Sequence, residues 1–190
     1  MYNGHMTELT FLAEDVGVSE RTLRRAVSEG SIRGVRPTPR KLLLPLSERG
    51  YIRRSWPLIS ALRAALRTEP NVRFALLFGS AARGTDTSAS DVDILVQMRD
   101  SSLERMGELG SKLTAIVGRR VELVRLEDAE GEPSFLAELA SDGRVLVDRE
   151  GLWAHLSRRE ADLRQRGRRY EARRTKAALA GIDRLLGARG

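Results

Sequence analysis

The chain has no cysteine. That excludes disulfides and thiolate-held zinc, and it accords with a reducing cytoplasm, the compartment expected here. Two histidines, His5 and His155, are too few for a histidine-built metal cluster. Aromatic residues make up only 5% of the chain, and lysine is almost missing: apart from Lys41, Lys112 and Lys176, all of the 33 basic residues are arginine. No apolar run approaches the roughly 18 residues that a membrane span needs, and no basic stretch followed by an apolar one opens the chain, so no membrane partner is expected. What is present is 190 residues, 41% of them apolar, enough for one ordinary domain or two small ones.

The net charge of +7 is unevenly spread. Residues 1–70 carry 12 basic and 7 acidic side chains, residues 71–150 carry 10 and 15, and residues 151–190 carry 11 and 4. An acidic middle between two basic ends points to different partners for different parts, with nucleic acid the natural partner of a basic surface. An arginine-preferring composition is the alternative source of the same charge.

Leu9, Leu12, Ala13 and Val16 recur at helical spacing and predict a first short helix. Ser19 is a good N-cap for a second, Glu20 to Glu29, which Gly30 ends. Its Leu23, Ala26 and Val27 should face inward, and Arg21, Arg24 and Arg25 outward. Helix, short glycine-containing turn and helix is the sequence form of a helix-turn-helix. Residues 32–36 and 41–44 read as two short strands joined through Pro37-Thr38-Pro39, a small wing with Arg36, Arg40 and Lys41 near its tip. Ser47 is expected to cap a helix ending near Trp56, and Pro57 to open another with Leu58, Ile59, Leu62, Ala65 and Leu66 inward.

From Val72 the pattern alternates between strand and helix: strands at 72–78, 91–96, 121–126 and 144–147, and helices at 101–117 and 132–140. The helix at 101–117 should turn Leu103, Met106, Leu109, Leu113 and Ile116 to one face. Such alternation means an α/β domain of about 80 residues. Beyond Gly151 the chain reads as helical, with one apolar stripe in Leu152, Trp153, Leu156 and Leu163, a break at Gly167, and a second stripe in Leu179, Ile182, Leu185 and Leu186. The arginine-dense stretch between them reads two ways: the solvated face of a docking or dimerising helix, or an arm that binds RNA or DNA.

The chemistry concentrates in Phe78 to Val96, FGSAARGTDTSASDVDILV. Side chains two apart on a strand share a face, so Asp91 and Asp93 point the same way. Two close carboxylates repel unless a cation lies between them, and all-oxygen ligands favour Mg²⁺ or Mn²⁺. Magnesium keeps phosphate oxygens in its shell, so such a pair implies a nucleotide. Gly79 lets backbone approach a phosphate, Ser80 adds a hydroxyl, and Arg83 can add a cation. Glu122, at the start of the next strand, is the candidate third carboxylate, completing the metal shell or serving as general base.

Gly79-Ser80 followed at that spacing by Asp91-Val92-Asp93 resembles the nucleotidyltransferase signature of the DNA polymerase beta superfamily. LLFGSAARGTDTSASDVDILV resembles its minimal members in particular, over residues 70–150. The resemblance implies a mixed sheet of about four strands flanked by helices. It also implies Mg²⁺-dependent transfer of a nucleoside monophosphate from an NTP, ATP foremost, to a hydroxyl on protein, RNA or a small molecule. Asp91 and Asp93 would bind metal, and Gly79 and Ser80 the triphosphate. Some minimal members are antitoxins that modify a partner toxin. Glu122 stands where those members often carry aspartate.

LAEDVGVSERTLRRAVSEGSIRG, Leu12 to Gly34, resembles the helix-turn-helix of MerR-type and excisionase-type DNA-binding domains. That resemblance makes Ser19, Arg21, Thr22, Arg24 and Arg25 candidates for groove and phosphate contacts, with Arg36, Arg40 and Lys41 holding the backbone from the wing, and a homodimer on half-site logic. The fold expected is thus α+β with an α/β centre: a winged helix-turn-helix over residues 1–56, a nucleotidyltransferase unit over 57–150 and a basic helical tail over 151–190. A DNA-binding regulator or antitoxin that binds nucleotide without turnover is the alternative to an enzyme.

Overall fold

Ser19 starts the second helix as its residue type predicts: its Oγ accepts the N–H of Thr22 at 3.2 Å. In the computed structural model, which describes residues 8–38 and 41–187, with side chains as far as Lys176, this helix is α2 (Glu20–Ser28) and follows α1 (Glu8–Asp15). Leu9, Leu12 and Ala13 of α1 and Leu23 and Ala26 of α2 form a core with Ile32, Leu44, Ile52 and Trp56. Arg24, expected to face outward, is half-buried and paired with Glu20 at 3.5 Å.

The expected two-stranded wing reduces to one antiparallel bridge, Val35 with Leu43. Pro37 and Pro39 have no N–H with which to extend a ladder. Arg40 and Pro39 lie outside the described residues, as does His5.

The helix break expected at Pro57 does not occur. One helix, α3 (Leu46–Arg67), runs through it, starting after Pro45 and not at Ser47. An interior proline costs a helix about 3 kcal/mol. Here both halves are pinned by burial, Ile52 and Trp56 in the N-terminal core and Ile59, Leu62 and Leu66 beneath the sheet. Each buried side chain of that size stabilises by about 1.5–3 kcal/mol, so packing wins over the proline. The expected boundary between residues 56 and 57 therefore falls inside α3.

The sheet comprises β1 (Val72–Phe78), β2 (Val92–Met98), β3 (Val121–Arg125) and β4 (Arg144–Asp148), in the order β3-β2-β1-β4. β1 pairs antiparallel with β2 and β4, while β2 and β3 run parallel, so the sheet is mixed. A parallel pair needs a crossover, which α5 (Leu103–Val117) supplies. Ala75 and Leu77 of β1 face α3 and α5, and Phe74 and Leu76 face the other side, where α6 (Leu126–Ala129), α7 (Pro133–Asp142) and α8 (Leu152–Arg158) pack. A bulge between Val72 and Phe74 shifts that alternation by one, leaving Val72 with Ala75 and Leu77. On α5 only Leu109 and Leu113 are fully buried, with Met106 partly so; Leu103 and Ile116, expected inward, are exposed. The short α6 was not foreseen.

Gly167 does not break the tail. α9 (Glu160–Gly187) passes through it, because a Cβ there would lie 2.9 Å from Ser134 Cα, and glycine lets α9 close onto α7. Beyond Gly167 every residue to Lys176 is exposed. The second expected stripe, from Leu179 to Leu186, lies beyond the described side chains.

The N-terminal helices are joined to the sheet edge. Gly30 O accepts from Val145 N at 3.0 Å, and the fully buried Ser31 hydroxyl donates to Val145 O at 2.7 Å. Glu48 of α3 pairs with Arg144 of β4 at 2.6 Å, both almost wholly buried.

Candidate active site

β1 ends at Phe78, and the chain turns at once into the short helix α4 (Gly79–Arg83). Gly79 has φ +67°, where a side chain is strained, and a Cβ on it would sit 2.3 Å from Asp93 Oδ2. Glycine is thus required twice over, and the corner is pressed against Asp93. Register explains the meeting: Phe78 lies opposite Asp93 on β2, and Asp93 opposite Glu122 on β3. Asp91, expected to open the strand, lies one residue before β2 begins.

The three candidate carboxylates share one neighbourhood. Burial raises the Asp93 carboxyl above its ordinary value, and the negative charges of Glu122 and Asp91 push it the same way, with Arg83 opposing. Arg120 spans the other two, 3.8 Å from Asp91 and 2.8 Å from Glu122. Glu122 is exposed, whereas Asp91 and Asp93 are half-buried. Among the described residues no three acidic, histidine or cysteine side chains stand close enough to form a ready metal cluster. The donor chemistry still suits a hard cation held by one or two carboxylates plus phosphate and water oxygens, the usual magnesium arrangement. Asp91 and Asp93 are the residues that fit it.

Arg83 leans away from the glycine corner. Its guanidinium donates to Glu138 of α7 at 2.7 Å and lies 4.0 Å from Asp142. Arg119 pins the loop that delivers Asp91, donating to Ser90 O at 2.7 Å and to Asp86 at 2.7 Å. The carbonyls of α4 are held from behind. Tyr51 donates to Ala81 O at 3.1 Å, Arg144 to Ala82 O at 2.6 Å, and Arg54 to Gly84 O at 2.7 Å. Burial pushes the Tyr51 hydroxyl up to about 12, so it stays a neutral donor. Sequence reasoning missed Arg119, Arg120, Glu138 and these three supports. The adjacent arginines before a strand were the one local signal; the supports come from residues 30 or more positions away.

The residues expected to contact DNA fall into two groups. Arg21, Thr22 and Arg25 are exposed on α2, with Arg25 paired to Glu29 at 2.7 Å, while Ser19 is engaged as the cap. Arg36 donates to Arg24 O at 2.6 Å, and Lys41 is exposed at the end of the ribbon.

The family model for polymerase beta, nucleotidyltransferase, matches residues 61–151. The protein adenylyltransferase MntA of Thermococcus cleftensis is 41% identical over 68 residues, which is 35% of this chain and 69% of that protein. A crystal structure of a toxin-antitoxin with AMP-PNP overlaps with a TM-score of 0.47 at 24% identity, covering 70% of this chain and 98% of that one. A tri-AMPylated Shewanella oneidensis HEPN toxin in complex with MNT antitoxin overlaps at 0.43 and 21% identity, covering 72% and 98%. At overlaps this loose nothing about ligand or partner transfers.

Proposed function

The chain belongs to the polymerase beta-type nucleotidyltransferase family and is a nucleotidyltransferase, and we propose that it moves AMP from ATP to a hydroxyl of a partner protein. The observation that carries this reading is the Gly79 corner closed on Asp93, which brings a phosphate-sized bend against a carboxylate that feels the charges of Asp91 and Glu122. The name of the Thermococcus cleftensis relative, a protein adenylyltransferase, supports ATP as donor and protein as acceptor. A toxin whose antitoxin this chain would be is the acceptor to test first, ahead of RNA.

In this reading Gly79 and Ser80 receive the triphosphate through backbone N–H and hydroxyl donors, with Arg83 nearby. Asp91 and Asp93 would hold Mg²⁺ or Mn²⁺, which offsets phosphate charge when bound. The acceptor oxygen forms a bond to the α-phosphorus, the bond to the β-phosphate oxygen breaks, and pyrophosphate leaves. Glu122, the exposed carboxylate of the three, takes the hydroxyl proton. Function divides along residues 1–56, 57–150 and 151–190, with α3 shared between the first two. The N-terminal unit is a helix-turn-helix that binds DNA, in a homodimer.

Incubation with each α-³²P-labelled NTP and Mg²⁺, with host lysate and with total RNA, tests the assignment. Label from ATP should pass to protein and vanish in Asp91→Ala/Asp93→Ala. Label that survives in that variant would overturn the site.

A further inference from the structure

Two clefts beside α2 adjoin and share three arginines, Arg25, Arg63 and Arg67. The smaller, of about 280 Å³ between α2 and α3, adds Arg21 and has no acidic residue in its wall. The larger, of about 510 Å³, continues to the β4 edge and adds Arg149. Arg21 and Arg25 are one helical turn apart on α2, as are Arg63 and Arg67 on α3, so each pair leaves its helix about 6 Å apart along the axis. Thr22 and Ser60 also line the smaller cleft, with their hydroxyls engaged by Ser19 Oγ and Pro57 O.

Glu29 organises this cluster. It accepts from Arg25 at 2.7 Å, from the buried Arg63, and from Arg67 at 3.3 Å. Burial alone would raise its carboxyl, but the Arg25 and Arg63 hydrogen bonds outweigh that and hold it below its ordinary value. Asp148, the other acid in the wall, is occupied by the N–H groups of Leu152 and Trp153 at 3.0 Å. Five arginines therefore face two carboxylates, both already engaged. Arg21, Arg25, Arg67 and Arg149 are exposed, Arg25 and Arg67 while sharing Glu29 and Arg149 while donating to Arg67 O at 3.0 Å and Glu69 O at 3.1 Å.

We infer that this composite groove, built from α2, α3 and the β4 edge, takes the phosphodiester backbone of nucleic acid. Guanidinium forks are phosphate donors that read no base sequence. An open groove lined by two helices suits an extended chain of phosphates. The assignment rests on the N-terminal unit being nucleic-acid-binding, and it moves the contact surface from the ribbon tip to α3 and the catalytic sheet.

The test is fluorescence anisotropy of a labelled 20-base-pair duplex of arbitrary sequence against salt. Five arginines against Glu29 and Asp148 leave an excess of three positive charges, which predicts a log–log slope of about −2.7, at roughly −0.9 per phosphate neutralised. Arg21→Ala/Arg67→Ala should cut the slope by about 2 and the affinity about tenfold or more in 0.1 M salt. Melting temperature and adenylyl transfer should be kept, and Arg36→Ala/Lys41→Ala should bind as the parent does. Loss of binding in the ribbon variant alone would overturn the groove and leave the nucleic-acid reading standing. A parent protein that fails to bind duplex but is stabilised by tripolyphosphate, through Arg21 and Arg67, would make this a small-anion site and overturn both. Failure to bind either would do the same.

Discussion

Glu48 and Arg144 form an ion pair whose side chains are 5% and 3% exposed. One guanidinium nitrogen donates at 2.6 Å and the other at 3.1 Å, Arg144 Nε reaches Ala82 O, and the guanidinium carbon lies 3.3 Å from the centre of the Tyr51 ring. Glu48 also accepts from the Arg33 N–H at 2.8 Å. Glu48→Gln keeps that last bond but strands a buried cation, which costs about 3–5 kcal/mol. For a chain of this size, 1 kcal/mol is about 2–4 °C, so the melting temperature should fall by roughly 10 °C. Arg144→Met alone strands the carboxylate and the Ala82 carbonyl, and should cost about as much. The double variant removes both charges and should lose about 2 kcal/mol less than the sum. Urea denaturation followed by circular dichroism measures all four corners of the cycle. Single losses that add within about 0.5 kcal/mol would refute the coupling. Two separate transitions would refute the claim that α3 welds the N-terminal core to the sheet.

Gly79→Ala places a methyl group against the Asp93 carboxylate at φ +67° and should abolish adenylyl transfer while lowering stability by about 1–2 kcal/mol, read from turnover and a thermal melt. Glu29 is depressed in the folded state, so the stability it contributes is complete above its unfolded value of about 4.5 and is lost as pH falls through the folded value. The melting-temperature gap between parent and Glu29→Gln should be full at pH 7 and shrink below about pH 4.5. A constant gap would refute the linkage.

Much of the candidate site's geometry was legible in the sequence because its parts are local. A glycine corner after a strand and two aspartates at alternate positions define their own geometry within 20 residues. The four strands and the capping of α2 by Ser19 follow from periodicity and residue type in the same way. The spacing between the corner and the aspartates also carried the family.

Other features depended on residues distant in sequence. Pro57 carries a local preference for a helix start, yet α3 continues because cores on either side of it bury both halves. Gly167 carries a local preference to break, yet α9 continues because Ser134 leaves room for nothing larger. The supports of α4 and the cleft shared by Arg21, Arg25, Arg63, Arg67 and Arg149 assemble side chains scattered across the chain. The sequence by itself determined the strands, the Gly79 bend and the Asp91–Asp93 pair, since these follow from interactions among neighbours. Only the tertiary structure decided that Asp93 meets Glu122 across the sheet, that Arg83 turns to Glu138, and that one helix serves two cores. Those outcomes depend on strand order and packing, which no local pattern encodes.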